Sequence, residues 1–261
     1  MAEQVRLDQN QTPKAGQADR SREMPCETLV MIPPMLCDAR IFEPQFRALG
    51  SDHAVMFAPT TTGERMEEIA SQILSWAPAK FALAGMGMGG MVAMEILRRA
   101  SDRVTRIALI STSPLAETPQ TAALREPQII AARAGRWDDV LQHEIHSTWM
   151  SPDVDKAAFV RLLTTMGHAL GPEVYVRQAR ALQRRKDLQA QLRKITQPAL
   201  VICGRHDGHY PVKRHETMAA MIPFATLDVI EDAGYLPTIE APEAVSAALQ
   251  SWMRAPLMLR S

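Results

Sequence analysis

A glycine-rich turn between an apolar run and a helical pattern is the feature of this sequence closest to catalytic chemistry. Residues 85–89 read Gly-Met-Gly-Met-Gly; they follow the apolar run Phe81–Ala84 and precede an amphipathic stretch. A strand–turn–helix with the spacing G-x-S-x-G presents a nucleophilic serine for acyl transfer. Gly87 stands at the serine position and has no side chain to attack a carbonyl. The motif predicts a nucleophile turn without its nucleophile.

Short apolar runs alternate with amphipathic stretches on both sides of this turn. Strands are predicted at residues 28–33, 53–58, 81–84, 104–110, 199–203 and 226–230. Helices are predicted at residues 42–49, 66–76, 91–99, 215–221 and 241–254. This alternation predicts an α/β fold, with a mostly parallel central sheet and helices on both faces.

The middle of the chain has a different pattern. The segment at about residues 115–193 is rich in predicted helices, at 122–134, 137–148, 156–170 and 174–185. A helical block between two strand–helix runs predicts a cap insertion within one domain, residues 24–261. Residues 1–23 are polar and lack the apolar core of a signal peptide, which predicts a disordered tail. Translation from either Met1 or Met24 is compatible with such a tail.

The composition limits the partners and the location of the protein. Lys+Arg and Asp+Glu both number 29, so no net charge attracts nucleic acid or an anionic membrane. No apolar stretch approaches the about 18 residues of a membrane span. Cys26, Cys37 and Cys203 are widely spaced, which fits neither a disulfide framework nor a metal site and favours a cytoplasmic location. We expect no cofactor and no metal, and the sequence does not indicate an oligomeric state.

Four segments, in their order and separation, resemble the α/β-hydrolase fold superfamily, from about Leu29 to the C-terminus. They are Met31–Asp38, at the place of the oxyanion loop; Gly85–Gly90, the nucleophile turn; Cys203–Pro211, the acid loop; and Glu231–Pro237, the histidine loop. The resemblance is to esterases and acyl hydrolases that cleave esters, lactones or thioesters of small molecules without cofactors.

The resemblance implies a catalytic triad in which only the acid remains. Gly87 occupies the nucleophile position, Tyr235 the histidine position and Asp207 the acid position. Tyrosine has an unperturbed pKa of about 10, so it is a poor proton acceptor at neutral pH. Because triad members act as a unit, the loss of two of them predicts that serine hydrolysis is lost.

The oxyanion loop and the turn also depart from a working hydrolase. Pro34 stands where the family often has glycine and has no N–H to donate. By motif, Met35 and Met88 supply the oxyanion N–H groups, so the pocket could still bind a carbonyl or carboxylate oxygen. At the turn, glycine adopts without strain the backbone conformation that costs serine roughly 1–3 kcal/mol. Gly87→Ser is therefore expected to destabilise the protein.

The same glycines match a motif from another class of protein. Gly85, Gly87 and Gly90 fit G-x-G-x-x-G, and they follow a strand and open a helix, as a dinucleotide-binding turn does. Against this alternative, two predicted strands precede the turn, whereas the fingerprint normally opens its fold. The next strand also ends in Ser-Thr-Ser at 111–113 rather than in an acidic residue. NAD(P) binding stays open as an alternative.

A second alternative keeps catalysis but uses other residues. Asp207 and Tyr235 are expected near the pocket mouth together with two histidines, where they could transfer protons without a nucleophile. For those histidines, His206 and His209, a solvated surface position is the simpler expectation. For Asp207, the simpler expectation is a buried carboxylate that organises its own loop. Tyr235 is expected to pack over the vacant site with its hydroxyl bonded to Asp207. Cys37, near the oxyanion loop, has no base by motif and is expected to be an unreactive buried thiol.

Taken together, these observations favour a degenerate hydrolase-fold protein that keeps its pocket. Its expected role is to bind a small apolar or acyl ligand, or a protein partner, without hydrolysis. Residual hydrolase activity remains a further alternative.

Overall fold

The computed structural model describes residues 27–257. The predicted tail at residues 1–23, the alternative start at Met24 and the thiol of Cys26 lie outside the described residues.

Parallel strands form the centre of the molecule. They are β1 (Leu29–Ile32), β2 (Val55–Phe57), β3 (Phe81–Met86), β4 (Val104–Ile110), β5 (Ala199–Gly204) and β6 (Ala225–Ile230). Within the described chain they form one six-stranded sheet in the order β2-β1-β3-β4-β5-β6, and each pair is parallel. The predicted fold class is confirmed.

Helices follow most of the strands. They are α1 (Glu43–Leu49), α2 (Met66–Trp76), α3 (Met88–Arg99), α4 (Pro119–Ala123), α5 (Arg125–Arg133), α6 (Trp137–Glu144), α7 (Lys156–Leu170), α8 (Pro172–Gln183), α9 (Gln189–Leu192), α10 (Val212–Met221), α11 (Pro237–Glu240) and α12 (Pro242–Arg254). Two short 3-10 helices, Ala39–Phe42 and Ser147–Trp149, complete the set in the described region.

Both faces of the sheet are buried. Along β3, Phe81 and Leu83 pack into one apolar cluster with α2 and α3, whereas Ala82 and Ala84 pack into a second cluster with α1 and α12. Successive strand residues point to opposite faces, so a strand covered on both sides reads as a continuous apolar run. This burial fixes the end of β3, and with it the turn at Gly87.

The helical connection between β4 and β5 contains α4 to α9 and has its own apolar cluster, with Ile129, Val140 and Tyr175 among its members. Three predicted helices differ in extent, and the one predicted at 174–185 is α8, which begins and ends two residues earlier. The helix predicted at 122–134 begins at Pro119, because Thr118 caps the N–H of Thr121, and it is divided at Leu124 into α4 and α5. The helix predicted at 137–148 ends at Glu144.

The described helices include none that is long and apolar enough to cross a lipid bilayer.

Candidate functional site

The turn between β3 and α3 has a backbone conformation that L side chains rarely adopt. Gly87 has φ 53° and ψ −119° and directly precedes α3. Its N–H donates to the Ile110 carbonyl (3.0 Å), and its own carbonyl accepts from the Thr112 hydroxyl (2.6 Å). These bonds tie the turn to the end of β4. A positive φ is accessible to glycine without strain, which accounts for glycine here.

The neighbouring glycines are required by close packing. A Cβ on Gly89 would overlap the Ile32 carbonyl, and one on Gly90 would lie 2.6 Å from the Cβ of Thr112. A Cβ on Gly85 would overlap the carbonyl of Gly89. In the spacing that resembles a dinucleotide fingerprint, Gly85 is thus explained by its packing against the start of α3, Gly87 by its positive φ and Gly90 by its packing against Thr112.

Tyr235 fills the space above Gly87. A Cβ built on Gly87 would overlap the Tyr235 hydroxyl and would lie 2.9 Å from Pro34 Cβ and 3.4 Å from Tyr235 Cζ. The structure thus brings together residues of three separate loops, Pro34, Gly87 and Tyr235. The phenol stands where a nucleophilic side chain at position 87 would begin.

An aromatic cluster holds the Tyr235 ring. The ring contacts Trp149, His209 and Tyr210, with centroid separations of 5.8, 5.1 and 5.9 Å. The Tyr235 N–H donates to the Trp149 carbonyl at 2.7 Å, which joins this loop to the helical connection. Burial, followed by Tyr210, Cys37 and Asp207, raises the pKa of Tyr235 well above its usual value. The phenol is therefore protonated at neutral pH and can donate a hydrogen bond.

Glu240 organises the loop that carries Tyr235. Its carboxylate accepts from the N–H groups of Gly234 (2.9 Å), Leu236 (2.7 Å) and Ser151 (2.7 Å). The backbone on either side of Tyr235 is thus fixed by one side chain. The sequence does not predict this role of Glu240, because a glutamate at the end of a short helix gives no signal of it.

Asp207 is buried but does not contact Tyr235 as expected. Its Oδ1 accepts from the N–H groups of His209 (2.9 Å) and Tyr210 (2.7 Å), whereas Oδ2 has no hydrogen-bond partner among residues 27–257. Burial raises the pKa of Asp207 to about 6, against the lowering effect of those two bonds and of the nearby Ser111 hydroxyl. The expected Tyr235–Asp207 hydrogen bond is absent, because the carboxylate caps its own loop. Asp207 does not line the cavity described below.

The two loop histidines differ, and the solvated expectation was wrong for one of them. His206 is exposed, but the His209 ring stacks on Trp149 at 4.3 Å and lies 4.1 Å from the Tyr210 ring. Burial, with a further contribution from Arg125 and other cations, lowers the pKa of His209 to about 4. His209 is therefore a neutral aromatic wall of the site at pH 7.

The two N–H groups expected to form the oxyanion site have no protein partner. Met35 follows Pro34 in the loop after β1, and Met88 is the first residue of α3, where an N–H has no partner within the helix. Neither N–H donates a hydrogen bond within the described part of the chain. The next residue, Leu36, has φ 62° and donates to Gln178 Oε1 at 3.1 Å, which anchors this loop to α8.

Both methionines line a partly open cavity that Tyr235 also lines. Its volume is about 90 Å³, enough for several water molecules or a short acyl chain. The cavity is lined by Met35, Leu36, Cys37, Met88, Arg125, Glu144, Ile145, His146, Trp149, Met150, Leu163, Leu182, His209, Tyr210, Tyr235 and Leu236. Apolar side chains dominate this wall, with a few polar groups.

The residues from the helical connection were missed by sequence reasoning. Arg125, Glu144 and Trp149 belong to α5, α6 and a 3-10 helix, and no motif marks them. Only packing of these helices over the sheet brings them to the cavity. Cys37 also lies on the wall, and burial raises its pKa far above the usual range. Its thiol is therefore protonated, as expected for an unreactive cysteine.

In the described region, no group of three or more His, Cys, Asp or Glu side chains is arranged to hold a metal ion.

The model of the family described as "Alpha/beta hydrolase family" matches residues 29–248. The chain belongs to the alpha/beta hydrolase family. This membership agrees with the parallel six-stranded sheet and its flanking helices.

Curated relatives of this chain include esterases of acyl-carrier-protein substrates. A pimeloyl-[acyl-carrier protein] methyl ester esterase of Aromatoleum aromaticum is 28% identical over 204 residues, which are 74% of this chain and 81% of that protein. A biotin biosynthesis bifunctional protein BioHC of Teredinibacter turnerae is 25% identical over 210 residues, or 72% of this chain. The match covers only 36% of the length of that bifunctional relative.

Solved structures show the same fold. A thermophilic esterase from Thermogutta terrifontis, determined with malate bound, superposes with a TM-score of 0.79 at 23% identity, covering 87% of this chain and 89% of that one. The enol-lactonase from Burkholderia xenovorans gives 0.78 at 21% identity, covering 88% and 92%.

Proposed function

We propose that this chain binds a small acyl compound, as a carboxylate or carbonyl, and does not hydrolyse it by a serine mechanism. The observation that carries the proposal is the position of the Tyr235 hydroxyl, which overlaps the Cβ position of residue 87. Residue 87 is a glycine without a side chain to act as nucleophile, and the space that such a side chain would need is filled by the Tyr235 hydroxyl. A protonated phenol in that place donates a hydrogen bond instead of attacking.

The free donors of the site favour an acidic oxygen as the bound group. The Met35 and Met88 N–H groups have no described protein partner, and the residues that carry them line the same cavity as Tyr235. Hydrogen bonds from N–H and O–H groups to a carboxylate are stronger than those to neutral oxygens. The N–H groups that would stabilise an oxyanion in a hydrolase would here bind the carboxylate of an acyl compound.

Catalysis by other residues is the second candidate, and the unpartnered Asp207 Oδ2 is the observation that favours it. With a pKa of about 6, this carboxyl could exchange a proton near neutral pH. The relatives are named as esterases, so an activity on esters is the form of catalysis to test first.

The deciding experiment measures hydrolysis of short-chain p-nitrophenyl esters by four proteins. They are the native chain, Asp207→Ala, Gly87→Ser with Tyr235→His, and that double variant with Asp207→Ala added. The proposal expects turnover by the double variant alone, because the introduced serine and imidazole then complete a triad with Asp207. Loss of that activity in the triple variant would show that Asp207 supplies the acid.

Native turnover that Asp207→Ala abolishes would overturn the non-hydrolytic proposal and establish the second candidate. Native turnover that survives Asp207→Ala would overturn the non-hydrolytic proposal and also exclude Asp207 as the catalytic group. Gly87→Ser alone is the matched control, since it restores the nucleophile without a base and is expected to stay inactive.

A further inference from the structure

One wall of the cavity carries a guanidinium group of which only some N–H groups have a protein acceptor in the described structure. Arg125, the first residue of α5, donates through Nε and Nη2 to the carboxylate of Glu117, with a shortest distance of 2.6 Å. Its Nη1 has no hydrogen-bond partner within residues 27–257, and Arg125 lines the cavity. A bound carboxylate is the ordinary partner of a free guanidinium edge.

Glu117 does not neutralise both of its arginine partners. It also pairs with Arg185 at 2.7 Å, and its side chain is 1% exposed. Burial alone would raise the pKa of Glu117, but Arg125 and Arg185 together lower it, so this residue is ionised. Two guanidinium groups thus share one carboxylate, which fixes the Arg125 side chain in place while its Nη1 stays without a protein partner in the described region.

A second charge faces the same cavity and limits what can bind. Glu144 accepts from the Tyr175 hydroxyl at 2.8 Å and lines the wall with Arg125. His146 and His209 are the other titratable groups of that wall besides the thiol and phenols. The carboxylate of Glu144 therefore repels an anionic ligand. The cavity favours such a ligand only if the ligand contacts the Arg125 guanidinium directly.

We propose that Arg125 binds a carboxylate at the far end of the acyl ligand, whose near end meets the Met35 and Met88 N–H groups and Tyr235. The ligand class is then a short dicarboxylic acid or its half ester, rather than a simple fatty acid or a diester. This inference rests on the proposed function and adds the specificity of the same site. Glu117 acts as a positioning residue, because it holds two of the guanidinium nitrogens.

The test compares two probes that differ by one negative charge, monomethyl succinate and dimethyl succinate. Their affinities for the native protein are measured by isothermal titration calorimetry at pH 7. We expect the half ester to bind about tenfold more tightly or better, the range of a charge-assisted hydrogen bond. In Arg125→Gln the ratio of the two affinities is expected to fall to about one.

Arg185→Gln is the matched control, since Arg185 pairs with the same carboxylate but does not line the cavity. It is expected to keep the preference for the half ester. Glu144→Gln removes the opposing charge and is expected to raise the ratio. This variant keeps the inference testable if Arg125→Gln fails to fold, which circular dichroism would reveal.

The outcomes separate the two proposals. Equal affinities for the two probes in the native protein, or a ratio that Glu144→Gln leaves unchanged, would overturn the role of Arg125 while acyl binding stands. An Arg125→Gln variant that folds and keeps the native ratio would do the same. Absence of binding by both probes would overturn the proposed binding function itself.

Discussion

The hydroxyl of Tyr235 occupies the space that any side chain at Gly87 would enter. The backbone at Gly87 keeps the sharp positive-φ turn of a nucleophile elbow, while the phenol comes from the loop after β6. The two positions that the resemblance assigns to nucleophile and base therefore lie in direct contact. Gly87 and Tyr235 are sterically compatible with each other. A serine at position 87 alone would collide with the Tyr235 hydroxyl, and a histidine at position 235 alone would have no nucleophile to activate.

We predict that Gly87→Ser lowers the free energy of unfolding by roughly 1–3 kcal/mol, because φ is 53° and the new Cβ overlaps the Tyr235 hydroxyl. Urea unfolding of the native protein and the variant measures this loss. The loss is expected to be smaller in the Tyr235→Phe background, where the overlapping oxygen is removed. A higher melting temperature for Gly87→Ser would contradict the prediction.

We predict that Tyr235→Phe has little effect on stability but weakens binding of a short carboxylate. The phenol oxygen donates no hydrogen bond in the described structure, so its removal leaves no protein acceptor unsatisfied. A hydrogen bond to a charged oxygen contributes about 1.5–3 kcal/mol, so the affinity is expected to fall at least about tenfold. Calorimetric titration with succinate measures the loss, and unchanged affinity would exclude Tyr235 as a donor.

We predict that Asp207 makes the protein less stable as pH rises from about 4 to about 6. Its pKa is raised from 3.8 to about 6, so in this window the native state holds a proton that the unfolded state has released. The stabilisation is full below the unfolded value and lost above the folded one. Asp207→Asn should abolish this slope and be more stable at pH 7, by on the order of 2–3 kcal/mol. Urea unfolding of both proteins at pH 4 and pH 7 measures the effect as the difference between them, because His209 and His215, whose pKa values are lowered to about 4, contribute a slope of opposite sign in this window. A difference in stability that is the same at both pH values would contradict the assignment.

We predict that Gln178→Ala destabilises the protein and weakens ligand binding together. Gln178 accepts from the Leu36 N–H (3.1 Å) and donates to Thr60 Oγ1 (2.9 Å), so its loss leaves buried polar groups without partners. Each such group costs about 1–3 kcal/mol. The adjacent Met35 N–H is expected to lose its fixed position. Thermal unfolding and succinate titration test the pair of effects, and destabilisation with native affinity would show that the loop keeps its geometry without Gln178.

The sheet and its flanking helices could be predicted because their signals are local. Helix α2 and strand β4 have the bounds predicted from the sequence, since apolar periodicity reflects which face is buried. Boundaries in the helical connection were less accurate, as the division at Leu124 shows. There the turn depends on the Thr118 cap and on packing between helices, which a periodicity reading does not resolve.

For the site as well, some features follow from the sequence and others only from the tertiary structure. The sequence by itself determined that Gly87 has no nucleophilic side chain and that Tyr235 has no imidazole, because these are facts of residue type. The assignment of Gly87, Tyr235 and Asp207 to the three triad positions comes from the resemblance and stays a prediction. Only the tertiary structure decided that Asp207 makes no hydrogen bond to Tyr235, that Glu240 holds the loop of Tyr235 and that Arg125 reaches the cavity. Those relationships arise from packing of loops and helices over the sheet, which residue spacing along the chain does not encode.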